Sequence, residues 1–367
     1  MSASTATRFV YVGTYTRLGQ RATGSEGIYV FRMDPQTGAL EPVASLGGVE
    51  NPSFLAVNPA LGCLYATNEV AEIGGEGGGA VSAFAIDRPT GGLSLLNRQP
   101  SGGAGPAYVS LDPAGRWVLV ANYAGGSVAV LPVQADGRLG PPAATVQHFG
   151  RSVDARRQEA AHAHCIITDP AGRHVLVADL GLDRVLVYRL DPRRGTLSPH
   201  EPAWAATRPG AGPRHLAFHP NRRYLYLVNE LDSTVTAYAY DGRRGVLQEL
   251  QTLSTLPAGF SGANTGADLH LAPSGRFLYT SNRGHDSIAV YAVDGRTGAL
   301  SAAGHVSTQG RTPRNFAIDP TGTFLLAANQ DSGTIVTFRL DPATGSPVPA
   351  GQVTAVPAPV CVQFVGS

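Results

Sequence analysis

Arg214 and Glu230 stand sixteen residues apart, and the residues around that interval are of the types that bind anions and move protons. The same half of the chain holds His162, His164, His215, Asp268, His270, Arg283 and Arg314. Guanidiniums present paired donors to phosphate or carboxylate. Imidazole and carboxylate transfer protons near neutral pH. Gathered in one concavity, such a set would hold a small anion and act on it. Taken singly, each has a plainer reading, because a His or Asp at the start of a strand is commonly a turn or capping residue. Arg214 and Glu230 stand apart because they occupy convergent positions of one repeat copy that the neighbouring copies do not repeat, and Arg283 is set with them.

Those equivalent positions come from an internal repeat. The sixteen-residue interval also runs from Pro52 to Asn68, Pro106 to Asn122, Ala163 to Asp179, Pro213 to Asn229, Gly266 to Asn282 and Pro313 to Asn329. Each copy carries a Pro seven residues in, then a turn, then a run such as Tyr224-Leu225-Tyr226-Leu227-Val228. A period of roughly fifty residues indicates a solenoid, propeller or array. The copies are short β-branched or aromatic runs separated by turns, without helix-length amphipathic stretches, which predicts four-stranded antiparallel blades arranged radially. The ends of the chain complete the count. Residues 9–12, 28–32 and 39–43 read as the second, third and fourth strands of a blade whose first strand is supplied by 359–364. The expected fold is therefore all-β, a seven-bladed β-propeller in a single domain spanning 1–367, its ring closed by the C-terminal strand so that two sheet edges are hidden.

In a propeller the first strands line the central channel, and the start of the first strand meets the end of the second at one edge of the sheet. One mouth of the channel is then lined by Ser53, Ala107, His164, Arg214, Ala267, Arg314 and Val360, by Phe54, Tyr108, Cys165, His215, Asp268, Asn315 and Cys361, and by Tyr15, Glu69, Tyr123, Leu180, Glu230, Arg283 and Gln330. Two residues further along the first strand the copies agree on apolar residues; at the mouth they differ. The Asn or Asp closing each second strand recurs and reads as structural turn chemistry. His162 and His164 have the spacing of one strand face, half of a metal site, but no further ligand falls at a recognisable spacing. Two long connections, 141–161 and 257–265, enter first strands at this mouth and are of functional length. The Gly-rich segment 74–79 lacks the strand-then-helix context of a phosphate loop and reads as a flexible rim or lid.

Composition limits the rest. Forty-five Gly and 27 Pro in 367 residues suit a chain of many hairpins, and a net charge of +1 draws it to neither nucleic acid nor membrane. Neither a signal segment nor an apolar run of ~18 residues is present, so a cytoplasmic protein is expected. Cys63, Cys165 and Cys361 are odd in number and unclustered, as buried thiols in a reducing compartment would be.

The residues also carry a resemblance. Tyr11-Val12-Gly13-Thr14-Tyr15-Thr16, Arg156-Arg157-Gln158 leading to His162-Ala163-His164, Gly212-Pro213-Arg214-His215-Leu216 with Val228-Asn229-Glu230-Leu231, Asn264-Thr265-Gly266-Ala267-Asp268-Leu269-His270, Ser281-Asn282-Arg283-Gly284-His285-Asp286 and Thr312-Pro313-Arg314-Asn315-Phe316 together resemble the seven-bladed β-propeller lactonase family. That family includes bacterial propeller-type 6-phosphogluconolactonases and fungal 3-carboxymuconate lactonizing enzymes. One departure is Ala161, where the family often has Pro. The resemblance implies a site free of metal and cofactor, with His164 (or His162), Arg214, Glu230 and Arg283 in catalysis; the polar residues gathered at the mouth add His162, His215, Asp268, His270 and Arg314 as substrate-binding. It implies hydrolysis of a small anionic sugar lactone, with 6-phosphoglucono-1,5-lactone the leading substrate, by a monomer or weak homodimer. Either Glu230 or His164 would activate water. The alternatives are a carboxymuconate lactonizing enzyme and a non-catalytic propeller scaffold.

Overall fold

The computed structural model describes residues 8–73 and 76–365. They form seven antiparallel sheets of four strands, each in simple meander order, and two small hairpins. The described residues contain no helix. Blade one takes its innermost strand from Pro359–Val365 and continues through Arg8–Thr14, Ile28–Met33 and Leu40–Leu46. Blades two to seven begin at Leu55–Asn58, Pro106–Leu111, Ala163–Thr168, Pro213–Phe218, Thr265–Leu271 and Pro313–Ile318. Each innermost strand touches the next, and the last, Pro359–Val365, touches the first, Leu55–Asn58, so the ring closes. Chain ends from opposite termini pair in register, Phe9 with Val365 and Val12 with Val362.

The apolar core is divided among the seams between neighbouring blades. One cluster joins Val10 and Val12 of blade one to Phe324 and Leu326 of blade seven; another joins Tyr224 and Tyr226 of blade five to Leu278 and Tyr291 of blade six. A second device repeats at every seam. The first residue of each second strand or its equivalent (Phe9, Cys63, Trp117, His174, Tyr224, Phe277, Phe324) lies under a positive-φ Gly from the following blade. At Gly195 (φ 69°) an added Cβ would fall 2.3 Å from the Trp117 ring, so only Gly brings the turn close enough.

In blades three, five and seven the recurring Asn pairs with the Pro that opens the first strand: Pro106 with Asn122, Pro213 with Asn229 and Pro313 with Asn329. Its side chain is buried and structural, though its task differs from turn formation. Asn68, Asn122, Asn282 and Asn329 each donate through Nδ2 to a carbonyl of the connection arriving from the previous blade: Glu50, Ser101, Thr255 and Thr308. The side chain therefore ties one blade to the next.

Candidate active site

The functional side chains are aimed by β-bulges. Between Pro213↔Asn229 and His215↔Val228 the ladder skips Arg214; the same slip skips Ala107, His164 and Arg314. An extra residue leaves the ladder and turns its side chain out of the regular alternation. His164, Arg214 and Arg314 are thereby directed into the channel mouth. On the neighbouring strand, the residue after the Asn is held by its own N–H, which donates to the carbonyl that precedes the first strand: Glu230 to Gly212 at 2.7 Å, Tyr123 to Gly105 at 2.8 Å, Glu69 to Asn51 at 3.0 Å.

These residues enclose a cavity of about 210 Å³, its walls including Glu69, Tyr123, Arg157, His164, Glu230, Arg283 and Arg314. A small void below shares Glu69, His164 and Arg314 and extends to Tyr15, Arg214, His215 and Asn315. Glu230 is the hub. Its Oε1 accepts from Arg157, and its Oε2 lies 2.8 Å from Arg214 Nε and 3.0 Å from Arg283 Nη2. Burial would raise its pKa, but Arg283 and Arg214 outweigh burial and hold the carboxyl well below the usual range. Arg214, 2% exposed, also donates to the Ala267 carbonyl. Burial and then Arg283 lower it to about 9, still a cation at neutral pH.

His164 is 4% exposed, and its Nδ1 has no partner among the described residues. Burial and then the Arg214 charge push its pKa well below 6.5, so it is neutral imidazole. His215 lies one layer deeper. Its Nδ1–H donates to Asp268 at 2.7 Å, leaving Nε2 to accept from Arg214 at 3.3 Å. Burial and Arg214 lower it to about 4. Asp268 also receives His270 Nε2, Asn315 Nδ2 and the Leu269 N–H, and these partners keep it ionised against the cost of burial. Arg314 stands over the Tyr15 ring at 5.3 Å and forms no salt bridge among the described residues.

The mouth thus brings together His164, Arg214, Glu230, Arg283 and Arg314, with His215 and Asp268 directly beneath. Two expected residues stand apart. His270 lies further down the channel against Phe316. His162 is not a wall residue: its ring stacks on Tyr123 at 4.7 Å, and its nitrogens meet the Tyr123 carbonyl and Glu159. His162 lies one residue before the strand and His164 is the extra residue of a bulge; both rings pack on Tyr123, His162 stacked and His164 edge-on at 5.3 Å, and only His164 lines the cavity. Arg157 was passed over as a site residue, although its loop was marked by length. Gln158, fully buried, fastens that loop to the Leu180 carbonyl, and Arg157 swings over Glu230. Tyr15, Glu69 and Tyr123 stood at mouth positions but carried no repeating charge pattern to single them out. Of the rim segment 74–79, residues 74 and 75 lie outside the described residues; its flanks pair as a hairpin, Glu72 with Gly77.

A closed ring of seven four-stranded blades, carrying a polar arginine-lined cavity at one channel mouth, defines a β-propeller with a small-molecule site. The chain belongs to the lactonase, 7-bladed beta-propeller family, whose profile matches residues 9–364. It is 39% identical over 355 residues to the 6-phosphogluconolactonase of Bacillus subtilis (strain 168), covering 97% of each chain. It is 34% identical over 314 residues to the 6-phosphogluconolactonase of Formosa agariphila, covering 84% of this chain and 86% of that one. Among solved structures it resembles the periplasmic gluconolactonase PpgL of Pseudomonas aeruginosa, with a TM-score of 0.90, 36% identity, and coverage of 98% of this chain and 99% of that one.

Proposed function

We propose that this protein is a 6-phosphogluconolactonase, hydrolysing 6-phosphoglucono-1,5-lactone to 6-phosphogluconate, as its relatives are named. The observation that carries this reading is the convergence of Arg157, Arg283 and Arg314 on the main cavity, with Arg214 lining the adjoining void, beside a neutral His164 whose Nδ1 has no partner among the described residues. Glu230 has both carboxylate oxygens engaged by three guanidiniums and aligns them, whereas His164 is neutral and keeps a ring nitrogen unpartnered among the described residues. His164 takes a proton from water as the oxygen attacks the lactone carbonyl. The developing oxyanion faces Arg283 and Arg314, a contribution of a few kcal/mol in sites of this kind. The intermediate collapses by breaking the bond between the carbonyl carbon and the ring oxygen, which recovers the proton from His164. Arg157, 40% exposed at the rim, suits the phosphate.

The four guanidiniums supply the charge stabilisation a metal would otherwise give, so we assign a metal-independent reaction that persists after dialysis against EDTA. We also assign a single-domain monomer or weak homodimer acting in the cytoplasm. A phosphorylated sugar stays in the compartment that forms it, and Cys63, Cys165 and Cys361 are buried free thiols. The test is a pH-stat assay, which reads the acid released from either ring, on the phosphorylated lactone and on glucono-1,5-lactone, each against its spontaneous hydrolysis. Turnover of the phosphorylated ring with higher kcat/KM is expected; no acceleration of either ring would overturn the assignment.

A further inference from the structure

The two carboxylates at the mouth differ in how much bonding capacity they retain. Glu230 has both oxygens occupied by three guanidiniums. Glu69, in blade two, lines both the main cavity and the void below it. Its one side-chain donor among the described residues is the Tyr15 hydroxyl, 3.1 and 3.0 Å from its two oxygens. A carboxylate offers about four acceptor sites, whereas guanidinium offers none. The cavity is therefore rich in donors; of its acceptors, His164 is engaged with the attacking water, and Glu69 is the carboxylate left open.

A polyhydroxylated ring entering this cavity exchanges water for protein around each hydroxyl. Its oxygens find arginine donors readily. Its hydroxyl hydrogens need acceptors, and leaving them unpaired in a closed site is costly. We propose that Glu69, held in place by Tyr15, reads the ring hydroxyls of the substrate and selects a polyhydroxylated sugar lactone over an unhydroxylated or polycarboxylated one. The proposal rests on the lactonase reading of this site. A ring bearing several carboxylates has few hydrogens to donate and sets its charge against Glu69, which discriminates in the same direction.

The test compares glucono-1,5-lactone with δ-valerolactone, the same ring without hydroxyls, using the full chain and its Glu69→Ala, Glu69→Gln and Tyr15→Phe variants. Calorimetric binding of gluconolactam and δ-valerolactam, analogues that resist opening by water, runs alongside. The wild type should prefer the hydroxylated member of each pair. Glu69→Ala should shrink that preference by about 10-fold or more, chiefly through KM and through lactam affinity. Glu69→Gln, which keeps one acceptor oxygen, and Tyr15→Phe, which only frees the carboxylate, should shrink it less. An unchanged preference, or an equal loss on both rings, overturns the proposal. If the wild type opens neither of these rings nor the phosphorylated lactone, the lactonase reading fails; if it opens only the phosphorylated lactone, that reading stands; in both cases the lactam affinities still decide whether Glu69 reads hydroxyls.

Discussion

Glu69 and Glu230 hold the same place in two copies of the repeat. Each follows the buried Asn that closes a second strand, Asn68 or Asn229, and each is fixed by an N–H bond to the carbonyl before the first strand. What differs is the company each keeps. Blade five brings Arg214 from its own bulge, receives Arg283 from blade six, and lies under Arg157 from the connection into blade four. Blade two has Ser53 where blade five has Arg214, and its neighbour offers Tyr15. Repeat position decides where a side chain sits. Its neighbours decide whether it becomes the counter-ion of a cationic wall or an open acceptor.

The most damaging way to break this arrangement is to remove residues 358–367. Tyr15 lies on blade one and donates its N–H to the Ala358 carbonyl, so the Glu69 wall depends on the C-terminal strand. Truncation also strips Arg8–Thr14 of a pairing partner and exposes an edge. Loss of cooperative unfolding or of soluble protein is expected; a thermal melt matching that of the full chain would show that closure does not support the ring.

Arg214→Met comes next. Removing these donors should lower kcat/KM roughly 10- to 150-fold. Arg214 is fully buried between Glu230 and the Ala267 carbonyl, so the change should also lower Tm, but moderately, because Glu230 keeps Arg157 and Arg283 and the cation itself is disfavoured by burial. Arg283→Met should reduce activity similarly with a smaller fall in Tm, since Arg283 is partly exposed. Equal Tm losses would mean that the two arginines are equivalent braces.

Exchanging each carboxylate for its amide sharpens the comparison. Glu230→Gln removes the counter-ion of three guanidiniums and should lower both kcat and Tm. Glu69→Gln should leave Tm within a few degrees and act mainly on KM. The stability gap between wild type and Glu230→Gln should be widest above pH ~4.5 and close as pH falls toward the depressed pKa of Glu230, because the paired carboxylate stabilises only while ionised.

Much of this was legible in the residues. The sixteen-residue interval is the ladder register itself and marks six blades and their mouth positions, and the complementary chain ends supply the seventh. Two kinds of information were not legible. The bulge that aims His164, Arg214 and Arg314 leaves no mark in a two-residue alternation, so spacing alone does not show that His164 lines the cavity while His162 stacks on Tyr123 outside its wall. Arg157 reaches the site from a connection outside the repeat, where spacing carries no spatial meaning. Its position depends on Gln158 and on Asp154, which folds the loop by accepting from the Arg156 and Arg157 N–H groups.

The smallest effect tests the layer beneath the cationic wall. His215 is neutral in the folded protein, lowered to about 4 by burial and Arg214, although Asp268 favours its charge. An unfolded His takes up its proton near pH 6.5. Between those values the unfolded state binds the extra proton, so folding stability must fall as pH drops from about 6.5 toward 4. By pH 5 the His215 contribution alone should be about 2 kcal/mol, at 1.36 kcal/mol for each pH unit below 6.5. His164, lowered in the same direction, adds to the slope; carboxylates titrate mainly lower. Urea unfolding of wild type and His215→Gln at pH 6.5 and pH 5 separates the terms. The variant should start less stable yet lose less on acidification, its slope reduced by about one proton. An unchanged slope would mean that His215 is charged in the fold, with both ring nitrogens donating. Its Nε2 could not then accept from Arg214, and the chain of bonds from Asp268 through His215 and Arg214 to Glu230 would be broken at its second link.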